Sequence, residues 1–204
     1  MVVRVGIIDY GVGNLFSIAS AFTFLGAEAT PVSDQEAASK CSHLLLPGVG
    51  SYAYAMEQIR SRGFDELVLG AASEGKPILG ICLGFQLLFA SSEEDGNSAG
   101  LALFPGEFEK FSEGSIRVPH VGFSSVDTTS SQRLFSGLPA LADFYFSHSY
   151  RMVSRPDGAS LGYADYGGRF VASIEAGNVM GTQFHPEKSQ SNGLLVLQNF
   201  IGIS

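Results

Sequence analysis

The chain has 204 residues, of which 45% are hydrophobic and 16% are charged, and its formal net charge at pH 7 is −8. The low share of charged residues excludes a disordered chain, and the length predicts one folded domain spanning residues 1–204. The acidic balance argues against nucleic acid or an anionic membrane surface as a partner.

Apolar runs alternate with helical patterns in the first half of the chain. Strands are predicted at residues 2–9, 29–32, 43–46 and 77–81. Helices are predicted at residues 15–25, 52–60, 64–74 and 83–89, the first with Asn14 as its N-cap. This alternation is typical of a doubly wound parallel sheet.

The second half contains short strand-like runs separated by Gly, Ser and Pro. They lie at residues 108–111, 144–150, 158–163, 169–175 and 179–184, and a helix is predicted at 194–201. The sequence therefore predicts an α/β fold: a central, mostly parallel twisted sheet, flanked by helices and extended by antiparallel strands.

Two cysteines, Cys41 and Cys82, can form at most one disulfide. The first residues do not match a cleavable signal, and the longest uncharged run contains several polar residues, so neither export nor membrane insertion is expected. Scarce cysteine without an export signal predicts a cytoplasmic protein in which a thiol stays free.

Cys82 lies between two glycines, Gly80 and Gly84, where a predicted strand meets a predicted helix. A G-x-C-x-G pattern at such a turn is the thiol form of a nucleophile elbow, since the small residues permit the strained turn that exposes the sulfur. The helix N-terminus that follows favours the thiolate. The alternative is an ordinary buried cysteine.

His185 and Glu187 are candidates for the general base and its orienting group. They are two residues apart on either side of Pro186, which keeps the backbone out of a helix, so both side chains can share one side of the chain. Together with Cys82 they form a Cys-His-Glu set. An exposed pair on a loop is the alternative.

Two further segments fit the same chemistry. Gly48 and Gly50 follow the third predicted strand, where backbone N–H groups can turn inward as an oxyanion hole requires; a plain tight turn is the alternative. Gln86 is four residues after Cys82, on the same helix face, and its amide can hold a polar substrate, although a capping or surface role is equally common.

No cofactor or metal is predicted. Phe16 occupies the position where a dinucleotide-binding fingerprint needs its last glycine, and no P-loop pattern occurs. The four histidines and two cysteines have no metal-ligand spacing.

Six ordered segments carry a resemblance that covers essentially the whole chain: residues 9–14 (DYGVGN), 46–50 (LPGVG), 75–84 (GKPILGICLG), 118–122 (VPHVG), 147–150 (SHSY) and 185–190 (HPEKSQ). With them the chain resembles the class I (triad-type) glutamine amidotransferases, and more closely the glutaminase subunits of imidazole glycerol phosphate synthase.

The resemblance implies hydrolysis of glutamine to glutamate and ammonia through a thioester. Cys82 would attack the carboxamide, His185 would move the proton and Glu187 would orient the imidazole. The Val49–Gly50 peptide and the Leu83 N–H would hold the oxyanion. The residues expected to line the glutamine pocket are Gly48, Gly50, Gln86, Ser147, Ser149 and Tyr150.

The resemblance also implies a partner: a (β/α)₈-barrel cyclase subunit, in a heterodimer, that receives the ammonia for histidine biosynthesis. Pro119, His120 and Phe123 would face it. Phe123 stands where the family more often has Trp, which bears on the partner rather than on the glutaminase chemistry. The alternatives are a glutaminase subunit for surface-sugar biosynthesis, a stand-alone thiol hydrolase, and a non-catalytic scaffold, which the intact triad disfavours.

Overall fold

Two β-sheets and the helices that pack on them form the structure, a computed structural model that describes residues 2–11, 13–112, 114, 116–130 and 132–203. Val12, part of the N-terminal segment of the resemblance, lies outside the described residues.

The first half of the chain alternates strands and helices as predicted. Its elements are β1 (Arg4–Ile8), α1 (Leu15–Phe24), β2 (Glu28–Val32), α2 (Gln35–Ser39), β3 (His43–Leu46), α3 (Tyr52–Ser61), α4 (Phe64–Ser73), β4 (Ile78–Ile81) and α5 (Leu83–Leu87). Asn14 caps α1 by accepting a hydrogen bond from the Ser17 N–H, as expected.

The second half is mostly strand. Its elements are β5 (Phe89–Ser92), β6 (Ser98–Ala99), β7 (Phe104–Lys110), β8 (His120–Asp127), β9 (Leu141–His148), β10 (Tyr150–Met152), β11 (Ser160–Asp165), β12 (Arg169–Ala176), β13 (Val179–Thr182) and α6 (Gln190–Ile201). Short 3-10 turns lie at Arg133–Phe135 and Pro186–Lys188.

The larger sheet has nine strands in the order β2-β1-β3-β4-β13-β12-β11-β8-β9. Neighbours from β2 to β13 are parallel, and those from β13 to β9 are antiparallel. The parallel core with an antiparallel extension confirms the predicted α/β class. All four residues of β3 and of β4 are buried, as expected for parallel strands covered on both faces.

Several local predictions are wrong. Phe89 begins a strand instead of ending a helix, and the predicted strand at 144–150 is divided between β9 and β10. Strand β8 and helix α2 were not predicted. A separate four-stranded sheet, β10-β7-β5-β6, was also unexpected. Its β7 and β10 pair across about 40 residues, a separation that local patterns do not reveal.

The parallel register determines which residues meet at the edge of the sheet. Ile81 of β4 pairs with Thr182 of β13, and Leu46 of β3 pairs with Gly80 of β4. The next residues in each strand therefore leave the sheet side by side at its carboxyl edge, where α/β proteins bind their ligands. This edge carries Pro47, Cys82 and Gln183. No described helix is long and apolar enough to cross a membrane.

Candidate active site

Cys82 occupies the turn between β4 and α5 in a strained conformation. Its φ is 54° and its ψ is −107°, a region that residues other than glycine rarely adopt. The turn is held from both sides, because the Cys82 N–H donates to the Thr182 carbonyl and the Gln86 N–H donates to the Cys82 carbonyl. This is the geometry of a nucleophile elbow, as predicted.

Close packing explains the glycines around this turn. A Cβ on Gly84 would lie 1.8 Å from the Leu46 carbonyl oxygen, and one on Gly48 would lie 2.5 Å from the Tyr10 hydroxyl. The Tyr10 hydroxyl in turn donates to the Pro47 carbonyl at 2.6 Å. The elbow and the loop after β3 are thus packed backbone against backbone, which leaves no room for side chains.

His185 and Glu187 form a buried pair on the 3-10 turn that follows β13. Their side chains are 4% and 2% exposed, and the imidazole Nδ1 lies 2.9 Å from Glu187 Oε1. Since a carboxylate only accepts, Nδ1 carries a proton and Nε2 is the nitrogen available to the sulfur. The exposed-pair alternative is therefore wrong.

The loop that carries His185 is fastened to the edge of β9. The His185 N–H donates to the Tyr145 carbonyl at 2.9 Å. The Ser189 hydroxyl donates to the His185 carbonyl and accepts from the Tyr145 N–H. These bonds fix the imidazole relative to the sheet.

The charges around His185 favour the imidazolium. Burial acts against the charged ring, but the hydrogen bonds that the ring makes to Cys82 and Glu187, together with the negative charges of these two groups, raise the pKa of His185 to about 10. The arrangement therefore suits a thiolate–imidazolium pair with Glu187 behind it.

A cavity of about 250 Å³ opens beside the sulfur. It is lined by Val49, Gly50, Cys82, Leu83, Gln86, Glu94, Pro119, Ser147, His148, Ser149, Tyr150, His185 and Lys188. The structure therefore brings together every residue predicted for the oxyanion site and the pocket except Gly48. Gly48 is buried behind the lining, against Tyr10 and Leu83.

Four polar residues at the site were not predicted: Glu94, His148 and Lys188 line the cavity, and Gln183 lies beside the sulfur. Glu94 lies at the cavity wall, where its carboxylate accepts from the Tyr52 N–H and burial raises its pKa. Gln183 is fully buried, and its Nε2 lies 3.8 Å from the Cys82 sulfur. The only signal for Gln183 in the sequence is its position two residues before His185.

The residues expected at a partner surface separate into inner and outer positions. Phe123 is 51% exposed and Val121 beside it is 56% exposed. His120 lies inside instead, 2% exposed, with its Nδ1 3.1 Å from Nε2 of His148. Side chains alternate between the two faces of β8, and His120 lies on the face that packs against the core. Burial lowers the pKa of both imidazoles, to about 4 and about 3, so neither is charged at neutral pH.

Among the described residues, no group of three or more His, Cys, Asp or Glu side chains is placed to hold a metal ion.

Comparisons with known proteins agree on one family. The profile of the class-I glutamine amidotransferases matches residues 6–202. "Imidazole glycerol phosphate synthase subunit HisH" of Moorella thermoacetica is 45% identical over 196 residues, which cover 96% of this chain and 93% of the relative. HisH 1 of Parasynechococcus marenigrum is 41% identical over 206 residues, which cover 98% of each chain.

Solved structures share the fold at lower identity. A crystal structure of a glutamine amidotransferase superposes with a TM-score of 0.77 at 20% identity and covers 98% of this chain and 99% of its own. PurLQS from Thermotoga maritima gives a TM-score of 0.76 at 20% identity, covering 99% of both chains. The chain thus belongs to the class-I glutamine amidotransferases and, within them, to the family of the HisH subunits of imidazole glycerol phosphate synthase.

Proposed function

We propose that this chain, as a single amidotransferase domain over residues 1–204, hydrolyses glutamine to glutamate and ammonia for imidazole glycerol phosphate synthase in histidine biosynthesis. One observation carries the proposal: the strained Cys82 and the buried His185–Glu187 pair meet at a cavity that also contains a carboxylate, Glu94. The names of the relatives support the assignment to that synthase.

Acylation begins at the sulfur. The Cys82 thiolate attacks the carboxamide carbon, and a C–S bond forms as the carbonyl becomes an oxyanion. His185 then donates its Nε2 proton to the amide nitrogen, the C–N bond breaks and ammonia leaves. In deacylation, His185 takes a proton from water, and the resulting hydroxide attacks the thioester carbon. The C–S bond then breaks, which releases glutamate and restores the Cys82 thiolate.

Glu187 supports both steps without moving a proton. Its bond to Nδ1 fixes the ring orientation and keeps Nε2 directed at the sulfur and the leaving group. The carboxylate also stabilises the imidazolium that is present before ammonia leaves.

The oxyanion would bind between the Val49–Gly50 peptide and the Leu83 N–H. Leu83 is the first residue of α5, where backbone N–H groups lack helical acceptors. Gly50 has a φ of 106°, which only glycine adopts without strain, so the backbone at this point depends on a glycine.

The pocket has the groups that a free α-amino acid requires. The Glu94 carboxylate suits the substrate ammonium, and Gln86, Ser147 and Ser149 offer polar groups for the carboxamide and the α-carboxylate. Tyr150 closes the wall beside them. A glutaminyl residue within a peptide has no free α-ammonium and would leave the Glu94 carboxylate without a cationic partner, so the pocket favours free glutamine over a peptide.

The word "subunit" in the relatives' names supports an assembly with a second chain. We propose that the second chain is a (β/α)₈-barrel cyclase and that the two chains form a heterodimer in the cytoplasm. The cyclase would dock on the face that exposes Val121 and Phe123. Pro119 joins that face to the cavity, because it lines the cavity two residues before Val121. Ammonia would pass to the partner there.

The test uses the chain mixed with the cyclase subunit from the same organism, assayed for glutamate and for imidazole glycerol phosphate. Cys82→Ala should abolish synthesis with glutamine and keep synthesis with ammonia, whereas Cys41→Ala, at the other buried cysteine, should keep both. Glutamate release without any coupled product would favour a stand-alone hydrolase. Coupling only to a sugar-modifying synthetase would favour the surface-sugar alternative.

A further inference from the structure

The side chain of Gln183 is buried between two residues of the active site. Thr182 of β13 pairs with Ile81 of β4, so Gln183 and Cys82 leave the sheet as direct neighbours. Gln183 is fully buried, its backbone N–H donates to Ala172, and its amide lies between Gln86 and the sulfur. This amide has no part in the triad or in the proposed glutamine contacts.

The nitrogen end of this amide faces the sulfur in the structure. Nε2 of Gln86 donates to Oε1 of Gln183 at 3.0 Å, which leaves Nε2 of Gln183 directed at Cys82 Sγ at 3.8 Å. The opposite orientation would place a carbonyl oxygen against a thiolate, an electrostatically unfavourable contact.

The thiolate needs such a donor because one of its other neighbours opposes the negative charge, while another stabilises it. The Ser147 carbonyl oxygen also lies 3.8 Å from the sulfur and can only accept, so it suits a thiol and opposes a thiolate. His185 provides the cation on one side of the sulfur. Gln183, which is fully buried, provides a neutral N–H on another.

We propose that Gln183 is a further catalytic residue that donates its Nε2–H to the Cys82 thiolate and is held in that orientation by Gln86. The inference rests on the proposed function, in which Cys82 is the nucleophile. It assigns Gln183 two tasks: to stabilise the attacking thiolate and, in deacylation, to stabilise the same thiolate as it leaves the thioester carbon. The bond weakens in the acyl-enzyme, since a thioester sulfur is a poor acceptor.

The test measures the thiol directly and needs neither glutamine nor a partner. In a Cys41→Ser background, Cys82 is the only thiol, so the pH dependence of its alkylation by iodoacetamide and of thiolate absorbance near 240 nm reports its ionisation. Gln183→Met keeps the length of the side chain without a donor. We expect the inflection for Gln183→Met to lie about one pH unit above that of the Cys41→Ser parent, which corresponds to about 1.4 kcal/mol.

Two more variants keep the test decisive. Gln183→Glu is similar in size but brings a carboxylate, and should raise the inflection further. Gln132→Met removes another buried glutamine amide, one that donates to the Ser160 carbonyl away from the site, and should leave the inflection unchanged. This variant controls for the loss of a buried hydrogen bond.

An unchanged inflection in folded Gln183→Met would overturn the inference, even if its melting temperature falls. If the parent chain alkylates like a free thiol and does not hydrolyse glutamine with its partner, the proposed function itself fails. Normal glutamine hydrolysis by the parent chain, combined with no shift in Gln183→Met, would refute only the role of Gln183.

Discussion

Gly84→Ala is expected to damage both the stability and the activity of the protein, because the new methyl group has no space. Its Cβ would lie 1.8 Å from the Leu46 carbonyl oxygen, whereas an ordinary C···O contact is about 3.3–3.6 Å. Strand β3 and helix α5 would have to separate by about 1.5 Å. Backbone lies on both sides, so side-chain rotation cannot relieve the clash.

We expect a loss at the upper end of the usual overpacking range, about 3 kcal/mol. For a chain of this size, 1 kcal/mol corresponds to about 2–4 °C, so the melting temperature should fall by about 6–12 °C. The same displacement moves Leu83 relative to Cys82, and a misplacement on this scale costs about 10²-fold in rate.

Gly70→Ala is the matched control. Gly70 lies within α4, and a Cβ there meets no atom within 4 Å. Alanine should therefore stabilise the helix by about 0.5–1 kcal/mol and leave glutamine hydrolysis unchanged. Thermal and urea unfolding followed by circular dichroism, with turnover measured below both transitions, compares the two variants. If Gly84→Ala loses less than about 1 kcal/mol, the packing argument is refuted.

The acid–base pair and the pocket carboxylate give three further predictions. Glu187→Gln should reduce kcat less than His185→Ala, because it alters ring orientation and charge without removing the base; equal losses in folded variants would make Glu187 a proton carrier. The pKa of His185 is about 10 in the folded protein and ordinarily 6.5. The protonated ring therefore stabilises the folded state fully below about pH 6.5, and this stabilisation is lost as the pH rises through about 10. The free energies of unfolding of the parent and of Glu187→Gln should therefore converge at high pH, and a difference that stays constant with pH would contradict this prediction. Glu94→Gln should raise the KM for glutamine about 10- to 100-fold at nearly constant kcat, and an unchanged KM would remove Glu94 from the amino-acid site.

The sequence predicted those parts of the site that local patterns determine. Cys82 between glycines at a strand end, and His185 with Glu187 around a proline, are short motifs whose spacing dictates their geometry. Glu94 and Gln183 could not be found in this way. Glu94 reaches the cavity because β5 joins a second sheet, and Gln183 meets Cys82 because β13 lies beside β4. Both contacts depend on strand pairing across long separations.

The same reasoning explains the errors in the fold. Strand β8 contains Gly122 and two serines, and only its first residue and Val126 are fully buried, so its sequence resembles a loop. Strands β3 and β4 are short runs with every residue buried, which apolar sequence alone identifies.

The position of β13 beside β4 also determines when the chain can first become reactive during its synthesis. Ile81 and Cys82 leave the ribosome long before Val179, and at about 5–20 residues per second the interval is roughly 5–20 s. Throughout that time β4 lacks one of its two neighbours, and the thiol lacks both its base and Gln183. On the proposed mechanism the nascent chain cannot release ammonia, and the unpaired edge of β4 is open to misassembly.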